Sequence, residues 1–149
     1  MDKSTNPRLD FFRAMIGRDM RDSVSPLGRW LNVTLQQVDE GRLVASLVVR
    51  EELTNPAGVL HGGAACALLD DLIGAMVFTL NREYLYVSVN MNVDFLHAAR
   101  LGDQLTITAE AVRTGRNIVH CDGQIKAADG KIIAKCATNL IQTNTKLPF

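Results

Sequence analysis

Residues Asn55 to Leu80 read NPAGVLHGGAACALLDDLIGAMVFTL, and this stretch decides the fold. Thr54 to Gly58, around its start, carries proline and glycine and is typical of a loop. From Gly62 onward, alanine, leucine, methionine and isoleucine continue for a length that only a helix accommodates. The predicted helix, Gly62 to Leu80, is apolar around almost its whole circumference, so the rest of the chain must bury it on most sides.

The remainder of the chain alternates between apolar and polar residues, which is the pattern of β-strands. Asp39-Glu40-Gly41 and Asp129-Gly130 indicate hairpins between such runs. The predicted strands are Val33 to Val38, Arg42 to Val49, Leu85 to Leu96, Gln104 to Val112, Ile118 to Lys126 and Ile132 to Ile141. We therefore expect an α+β fold in which an antiparallel sheet of five or six strands wraps one long central helix.

A short helical segment is expected before this domain. Apolar residues recur at helical spacing from Leu9 to Met20, whereas SVSPLG (23–28) carries the proline and glycine of a break. The predicted division is a helical segment over residues 1–26, one domain over residues 27–142 and a frayed tail over residues 143–149.

Composition excludes several classes of protein. Sixteen Lys and Arg residues balance sixteen Asp and Glu residues, so the net charge points to neither a nucleic-acid nor a membrane-surface partner. The N-terminus has no apolar run typical of a signal peptide, and the adjacent Asp70 and Asp71 disfavour a transmembrane span. Cys66, Cys121 and Cys136 lack metal-ligand spacing and are expected to be reduced thiols in a cytoplasmic protein.

One carboxylate on the predicted helix is a candidate for catalysis. At about 100° per residue, Gly63, Ala67, Asp70 and Gly74 fall on one narrow stripe. Small residues there let a ligand or another backbone approach closely, and Asp70 is the acid–base group on that stripe. Asp71 points about 100° away, so the two carboxylates are not interchangeable.

The start of the same helix suits an oxyanion. Backbone N–H groups in a first helical turn lack partners and carry partial positive charge, and Gly62 and Gly63 leave room for a carbonyl oxygen to reach them. Taken alone, the glycine pair is also consistent with a tight helix start, Asp70 with a satisfied structural group, and His61 with a capping residue. In combination they provide the minimum equipment for attack of water on a thioester.

The pattern N55-x-x-G58-x-x-H61-G62-G63, with D70 nine residues after the histidine, closely resembles the hotdog-fold thioesterases of the phenylacetate-pathway and acyl-CoA thioesterase 13 type. The stretches SVNMNVDFLHAARLGDQL (88–105) and DGKIIAKCAT (129–138) are similar to that family as well, and the resemblance spans about residues 27–140. It implies hydrolysis of acyl-CoA thioesters without a metal or cofactor, in a homodimer that usually pairs again into a tetramer.

The resemblance also implies a role for each matching residue. Gly62 polarises the thioester carbonyl through its N–H, assisted by Asn55, and His61 positions the loop and the substrate near the sulfur. Asp70, from the other subunit, is the general base or the nucleophile, and Ser88 orients the water. Coenzyme A is expected near FLHAAR (95–100) and RTGRN (113–117). The implied contacts to coenzyme A are Gly63, His97, Arg100, Arg113, Gly115 and Arg116, although arginines at hairpin tips are often merely solvated.

Ser88 poses a geometric problem for this assignment. Strict alternation from Leu85 to Phe95 places Ser88 on the face opposite Val87 and Val89, and therefore away from the chain's own Asp70. A bulge in the strand or the geometry of a partner subunit would resolve the conflict.

Other functions fit less well. Hotdog hydratases and dehydratases are expected to pair His with a helix Glu, or to carry an Asp-x-x-x-x-His pair in another loop, and this chain has neither. A serine hydrolase would need a G-x-S-x-G elbow, which the sequence lacks. A non-catalytic acyl-CoA-binding protein is the remaining alternative. Loss of the helix carboxylate or of the glycine pair would have indicated such a protein, and both are present in this sequence.

Overall fold

The computed structural model describes residues 5–148 and centres on one helix, α3, from Gly62–Phe78. Residues His61 and Thr79 cap its ends, and Asn81 then takes a left-handed conformation with φ of 56° that turns the chain away. One side of α3 is buried against the sheet through Ala65, Leu68, Leu69, Leu72, Ile73, Met76 and Val77. Its opposite side is open, because Gly63, Asp70 and Gly74 are exposed.

Six antiparallel strands form one sheet around this helix, as expected for a hotdog fold. The strands are β1 (Thr34–Asp39), β2 (Arg42–Val48), β3 (Tyr84–Phe95), β4 (Gln104–Thr114), β5 (Ile118–Ala127) and β6 (Ile132–Lys146). Their order across the sheet is β1-β2-β4-β5-β6-β3. Strand β3 therefore lies at one edge, where it pairs with β6 and has no second strand among residues 5–148.

Close packing fixes the helix on the concave face of the sheet. A Cβ on Gly123 of β5 would lie 3.0 Å from Leu69 Cδ2 and 3.2 Å from Ile73 Cδ1. The absence of a side chain at this position lets α3 approach the strand directly. Leu69 and Ile73 are almost completely buried there, which stabilises the fold by roughly 2 kcal/mol for each side chain.

The N-terminal region differs from its prediction. Helix α1 spans Pro7–Arg13 and does not reach Met20, because Gly17 takes a φ of 79° and donates its N–H to Leu35 O at the start of the sheet. The interpretation of 23–28 as a break was also wrong. Pro26 opens a second helix, α2 (Pro26–Leu31), where a proline without an N–H is tolerated, and Ser25 caps it.

The C-terminal prediction was too short. Strand β6 continues through Lys146, which pairs with Tyr84, and Leu147 donates its N–H to Glu83 O. Long-range pairing with β3 thus orders residues 143–146, the greater part of the predicted tail, whereas residues 1–4 and 149 lie outside the described part of the chain.

The cysteines are free thiols, as expected. Burial raises the pKa of the Cys121 thiol to about 12 and that of Cys136 to about 11, whereas Cys66 on α3 is half-buried. High pKa values keep both buried thiols protonated and inert at neutral pH. Within residues 5–148, no helix is long and apolar enough to cross a membrane.

Candidate active site

Asp70 and Ser88 are joined by a hydrogen bond within one chain. Ser88 Oγ on β3 donates to Asp70 Oδ1 on α3 over 3.2 Å. The bond is possible because the pairing of β3 with β6 shifts register between Ser88 and Asn90. This irregularity is a bulge, and the extra residue reverses which side chains face the helix on either side of it.

The bulge corrects the predicted alternation of β3. On one side of it Tyr86 is buried and Val87 is 41% exposed, and on the other side Met91 is the residue that packs towards the core. Val89, at the irregularity itself, is 58% exposed. The prediction that Val87 and Val89 share the inner face was therefore wrong, and Ser88 faces Asp70.

Asp71 has a separate structural role. Ser25 Oγ donates to Asp71 Oδ1 over 2.8 Å and accepts the N–H of Gly28, so the side chain that caps α2 also ties it to α3. Burial raises the pKa of the Asp71 carboxyl, the bond from Ser25 opposes this, and the charge of Asp70 adds to it. The predicted distinction between the two carboxylates is confirmed in their contacts: Asp70 is exposed and meets Ser88, whereas Asp71 is partly buried and meets Ser25.

The first turn of α3 leaves N–H groups without an acceptor among residues 5–148, and that of Gly62 is one of them. His61 caps the helix by accepting the N–H of Gly63 on Nδ1 at 2.8 Å, so a neutral His61 ring carries its proton on Nε2. The N–H of Gly62 donates to no group among residues 5–148. Phe95 from β3 covers the glycine, because a Cβ there would lie 3.4 Å from its ring. Gly62, rather than Gly63, therefore has the N–H available for an oxyanion.

Asn55 organises the loop that precedes α3. Its side-chain Oδ1 accepts the N–H groups of Ala57 at 3.0 Å and Val59 at 3.3 Å, and its own N–H donates to Val59 O. Leu60 and Ala99 join this loop to the segment after β3 through a 2.7 Å backbone bond. The amide Nδ2 of Asn55 donates to none of the described residues, so it is free to reach a ligand.

Gly62 and Asp70 of one chain lie at separate points along α3. They lie eight residues apart in the unbroken helix, which is about 12 Å at 1.5 Å per residue. A carbonyl oxygen bound to the Gly62 N–H and a water bound to Asp70 need to meet within about 3 Å of the reacting carbon. Each chain therefore presents both groups, two turns of helix apart.

The predicted contacts to coenzyme A form two separate clusters. His97 and Arg100 lie near the active-site loop: His97 Nδ1 donates to Ile132 O at 2.8 Å, and Arg100 forms an isolated bridge with Val59. Gly63 lies close by, at the start of α3. All three residues are exposed.

The second cluster lies at the far end of β4. Arg113 and Arg116 flank Gly115, where a Cβ would lie 2.6 Å from Ile118 O, so this tight turn excludes larger residues. Arg116 O accepts the Tyr86 hydroxyl at 2.8 Å. Strand β4 separates the two clusters by about 34 Å, so one chain does not bring them together.

Two residues that contribute to the geometry were not predicted. Phe95 covers Gly62, and Ser25 holds Asp71 away from the site. Both contacts join segments that are far apart in the chain, and no local motif marks them. Ser25 did carry one usable sign, since a serine directly before Pro26 is typical of a helix N-cap.

Other parts of the described chain offer no competing site. A groove of about 360 Å³ on the outer face of the sheet is lined by polar residues such as Glu110, Asp122 and Lys135, and its lining includes none of the predicted site residues. Among residues 5–148, no group of His, Cys, Asp and Glu side chains is arranged to hold a metal ion.

Comparison with known proteins agrees with this fold. The family model described as Thioesterase superfamily matches residues 57–134. Human acyl-coenzyme A thioesterase 13 is 32% identical over 69% of this chain and 74% of its own length. The Escherichia coli PaaI protein of the phenylacetic acid degradation operon has a TM-score of 0.81 at 21% identity, covering 96% of this chain and 99% of that one, which supports the fold.

A Streptococcus pneumoniae hypothetical thioesterase solved with coenzyme A has a TM-score of 0.72 at 27% identity, covering 78% of this chain and 89% of that one. The matched family segment contains Gly62, Asp70 and Ser88, together with the loop from Ala57. The chain belongs to the thioesterase superfamily.

Proposed function

We propose that the protein hydrolyses acyl-CoA thioesters to a free acid and coenzyme A. The main support for this proposal is the exposed Asp70 carboxylate, which accepts a hydrogen bond from Ser88 on the open side of α3. Two relatives support the substrate: one is named an acyl-coenzyme A thioesterase, and another was solved with coenzyme A bound.

The active site is composed of two chains. The separation of about 12 Å between Gly62 and Asp70 along one helix supports a second copy as the source of one of them. Strand β3, twelve residues long, offers a free sheet edge with Val87 and Val89 exposed, which is suited to pairing with its own copy. Helix α3 runs antiparallel to β3, since Gly62 lies by Phe95 and Asp70 by Ser88.

A two-fold axis through such an edge would set the two α3 helices side by side in opposite directions. The N-terminus of one helix then faces the middle of the other, where Asp70 lies. The resulting homodimer has two equivalent sites, each with Gly62 from one chain and Asp70 from its partner. A further pairing of dimers into a tetramer would leave both sites intact.

Within this site each residue acts on a defined atom. The Gly62 N–H binds the thioester oxygen, assisted by the Asn55 amide, and stabilises the negative charge that develops there. Asp70 takes a proton from water while the water oxygen bonds to the carbonyl carbon, and Ser88 holds the carboxylate in position. The C–S bond then breaks, and the coenzyme A sulfur leaves as a thiolate that takes up the proton held by Asp70 or one from solvent.

Direct attack by Asp70 on the carbonyl carbon is the alternative chemistry. It would release the thiolate first and form an anhydride that water then opens. Both routes use only groups of the protein and water, and they require no metal or cofactor.

Coenzyme A is a phosphate-rich ligand, and the two arginine clusters suit it. Arg100 of one chain and the turn of Arg113, Gly115 and Arg116 of its partner would approach each other across the dimer, with His97 and Gly63 at the pantetheine end. Arginine binds phosphate through paired, charge-assisted hydrogen bonds.

Release of free thiol from a panel of acyl-CoA and aryl-CoA substrates tests the proposal. Asp70→Asn is expected to lower kcat by about 10²- to 10⁴-fold, the usual contribution of a general base. Asp71→Asn is the matched control, because it makes the same change one residue away, on the Ser25 side of the helix. Equal activity in Asp70→Asn and the parent protein would refute the assigned role.

A non-catalytic acyl-CoA-binding protein is the second candidate, and the same experiment separates it. Binding of acyl-CoA by calorimetry without release of thiol would favour that function over hydrolysis.

A further inference from the structure

We propose that Gly74 sets the length of acyl group that the enzyme accepts, by keeping open a path from Asp70 to a small hollow near both chain termini. This inference rests on the proposed thioesterase function and adds the acyl class: a linear acyl group of about ten carbons, with longer chains rejected. Gly74 is a glycine that the fold itself does not require.

Gly74 lies in the interior of α3 and takes a helical conformation. Glycine there costs about 1 kcal/mol of helix stability relative to alanine. A Cβ at Gly74 would meet no atom within 4 Å, in contrast to Gly123, where the side chains of Cys136, Leu69 and Ile73 exclude it. Packing within this chain therefore gives no reason for glycine at position 74, and the open space above it is available to a ligand.

This space continues the active site in one direction. Gly74 follows Asp70 by four residues on the same side of α3, and on β3 Tyr86 follows the same direction from Ser88. In the opposite direction the ring of Phe95 lies beside Gly62, where a Cβ would be 3.4 Å from it. An acyl group with its carbonyl at Asp70 therefore finds more open space towards Gly74, where a Cβ would meet no atom within 4 Å.

The path ends in what we call the distal hollow, of about 40 Å³. Its lining residues are Arg8, Gly74, Val77, Phe78, Arg82, Tyr84, Leu85, Tyr86 and Leu147. Three aromatic rings and three aliphatic side chains make most of this lining apolar, so the hollow favours hydrocarbon over water.

Both ends of the chain close the hollow. Arg8 of α1 lies over the Phe78 ring, 4.5 Å from its centre, and donates to Arg82 O at 2.6 Å. Leu147, after β6, is held by its backbone bond to Glu83 O. These contacts form a floor, so a tail that enters over Gly74 stops there.

The distance from Asp70 to the floor sets the length. Phe78, which lies under Arg8, follows Asp70 by eight helical residues, which span about 12 Å. An extended hydrocarbon chain gains about 1.3 Å per bond when the bonds are roughly 1.5 Å long, so about nine carbons beyond the carbonyl cover that distance. Decanoyl is therefore the best-fitting linear group, whereas acetyl does not reach Gly74.

The test compares kcat/KM for acetyl-, decanoyl- and tetradecanoyl-CoA in the parent, Gly74→Ala and Gly74→Val. The ratio of decanoyl to acetyl is expected to fall stepwise, by about tenfold or more in Gly74→Val, because each added carbon fills the path. Acetyl-CoA is the internal control, since its acyl group ends before position 74. An unchanged ratio in a folded Gly74→Val protein would overturn the inference.

Leu147→Ala provides the opposite change and does not disturb α3. Removing this side chain deepens the floor, so activity on tetradecanoyl-CoA is expected to rise relative to decanoyl-CoA. If Gly74→Val does not fold, Gly74→Ala and Leu147→Ala decide the matter. If the parent protein cleaves no acyl-CoA, the proposed function is wrong. If the variants are active and their preference for acyl-chain length is unchanged, only the role of Gly74 is wrong.

Discussion

Gly62→Pro removes one hydrogen-bond donor from the proposed site and nothing else of consequence. Gly62 is the first helical residue of α3, where proline is well tolerated because the lost N–H has no partner inside the helix. The preceding His61 has a ψ of 135°, which lies in the range that a following proline requires. We therefore expect a folded protein whose oxyanion donor is missing.

The expected loss in kcat is about 10²- to 10³-fold, the usual effect of removing one oxyanion donor. Gly62→Ala is the matched control, since it keeps the N–H and adds a methyl group that touches the Phe95 ring at an ordinary distance of 3.4 Å. Thiol release is measured for both variants under saturating acyl-CoA, with circular dichroism to verify the helix content. An equal loss of kcat in the two variants would show that the small size of glycine at position 62, and not its N–H group, is what catalysis requires.

The same variant tests whether the site spans two chains. Gly62→Pro and Asp70→Asn are each inactive alone, but a random mixture of the two chains contains sites that join an intact Gly62 to an intact Asp70. Independent assortment makes about one quarter of all sites intact in a symmetric assembly, so co-expressed chains should recover about a quarter of parental activity. If activity stays at the level of the separate variants, Gly62 and Asp70 do not act across two chains.

Two further predictions follow from contacts of the carboxylates. Ser88→Ala removes the hydrogen bond to Asp70 and is expected to lower kcat about tenfold. Ser88→Thr keeps a hydroxyl group and is expected to keep most of the activity. Equal kcat values in the two variants would show that this hydrogen bond does not contribute to catalysis. Because burial raises the pKa of Asp71 in the folded state, its contribution to stability is fully present below the ordinary Asp pKa near 4 and is lost as pH rises through the higher folded value. Asp71→Asn should thus melt at a higher temperature than the parent at pH 7 and lose that advantage by pH 4; a constant difference across this range would contradict it.

The sequence predicted those elements whose cause is local. The apolar run of α3 and the hairpin signals at Gly41 and Gly130 are sufficient to predict one helix and a meandering antiparallel sheet, because periodicity and turn chemistry act over a few residues. The strand count and the wrapping of the helix follow, since α3 has no other way to bury its apolar side.

The errors occurred where distant segments decide the structure. Helix α1 ends early because Gly17 bonds to Leu35 in β1, and β6 extends to Lys146 because β3 provides a partner for it. The bulge in β3 lies between Ser88 and Asn90, in a run whose own alternation is unbroken. Such features depend on register against another strand, which no pattern within the strand itself reveals.

The sequence predicted which chemical groups the active site contains more readily than how these groups come together in space. Gly62 and Asp70 lie in one continuous helix, so their separation of about 12 Å follows once the helix is recognised. A rigid helix cannot fold back to join its own N-terminus to its middle. If both groups act on one thioester, a second helix must run the other way beside the first, and the free edge of β3 is where the fold leaves room for that copy. Dimerisation is then a condition of the chemistry, and a variant that blocks pairing at β3 should lose hydrolysis even with every site residue in place.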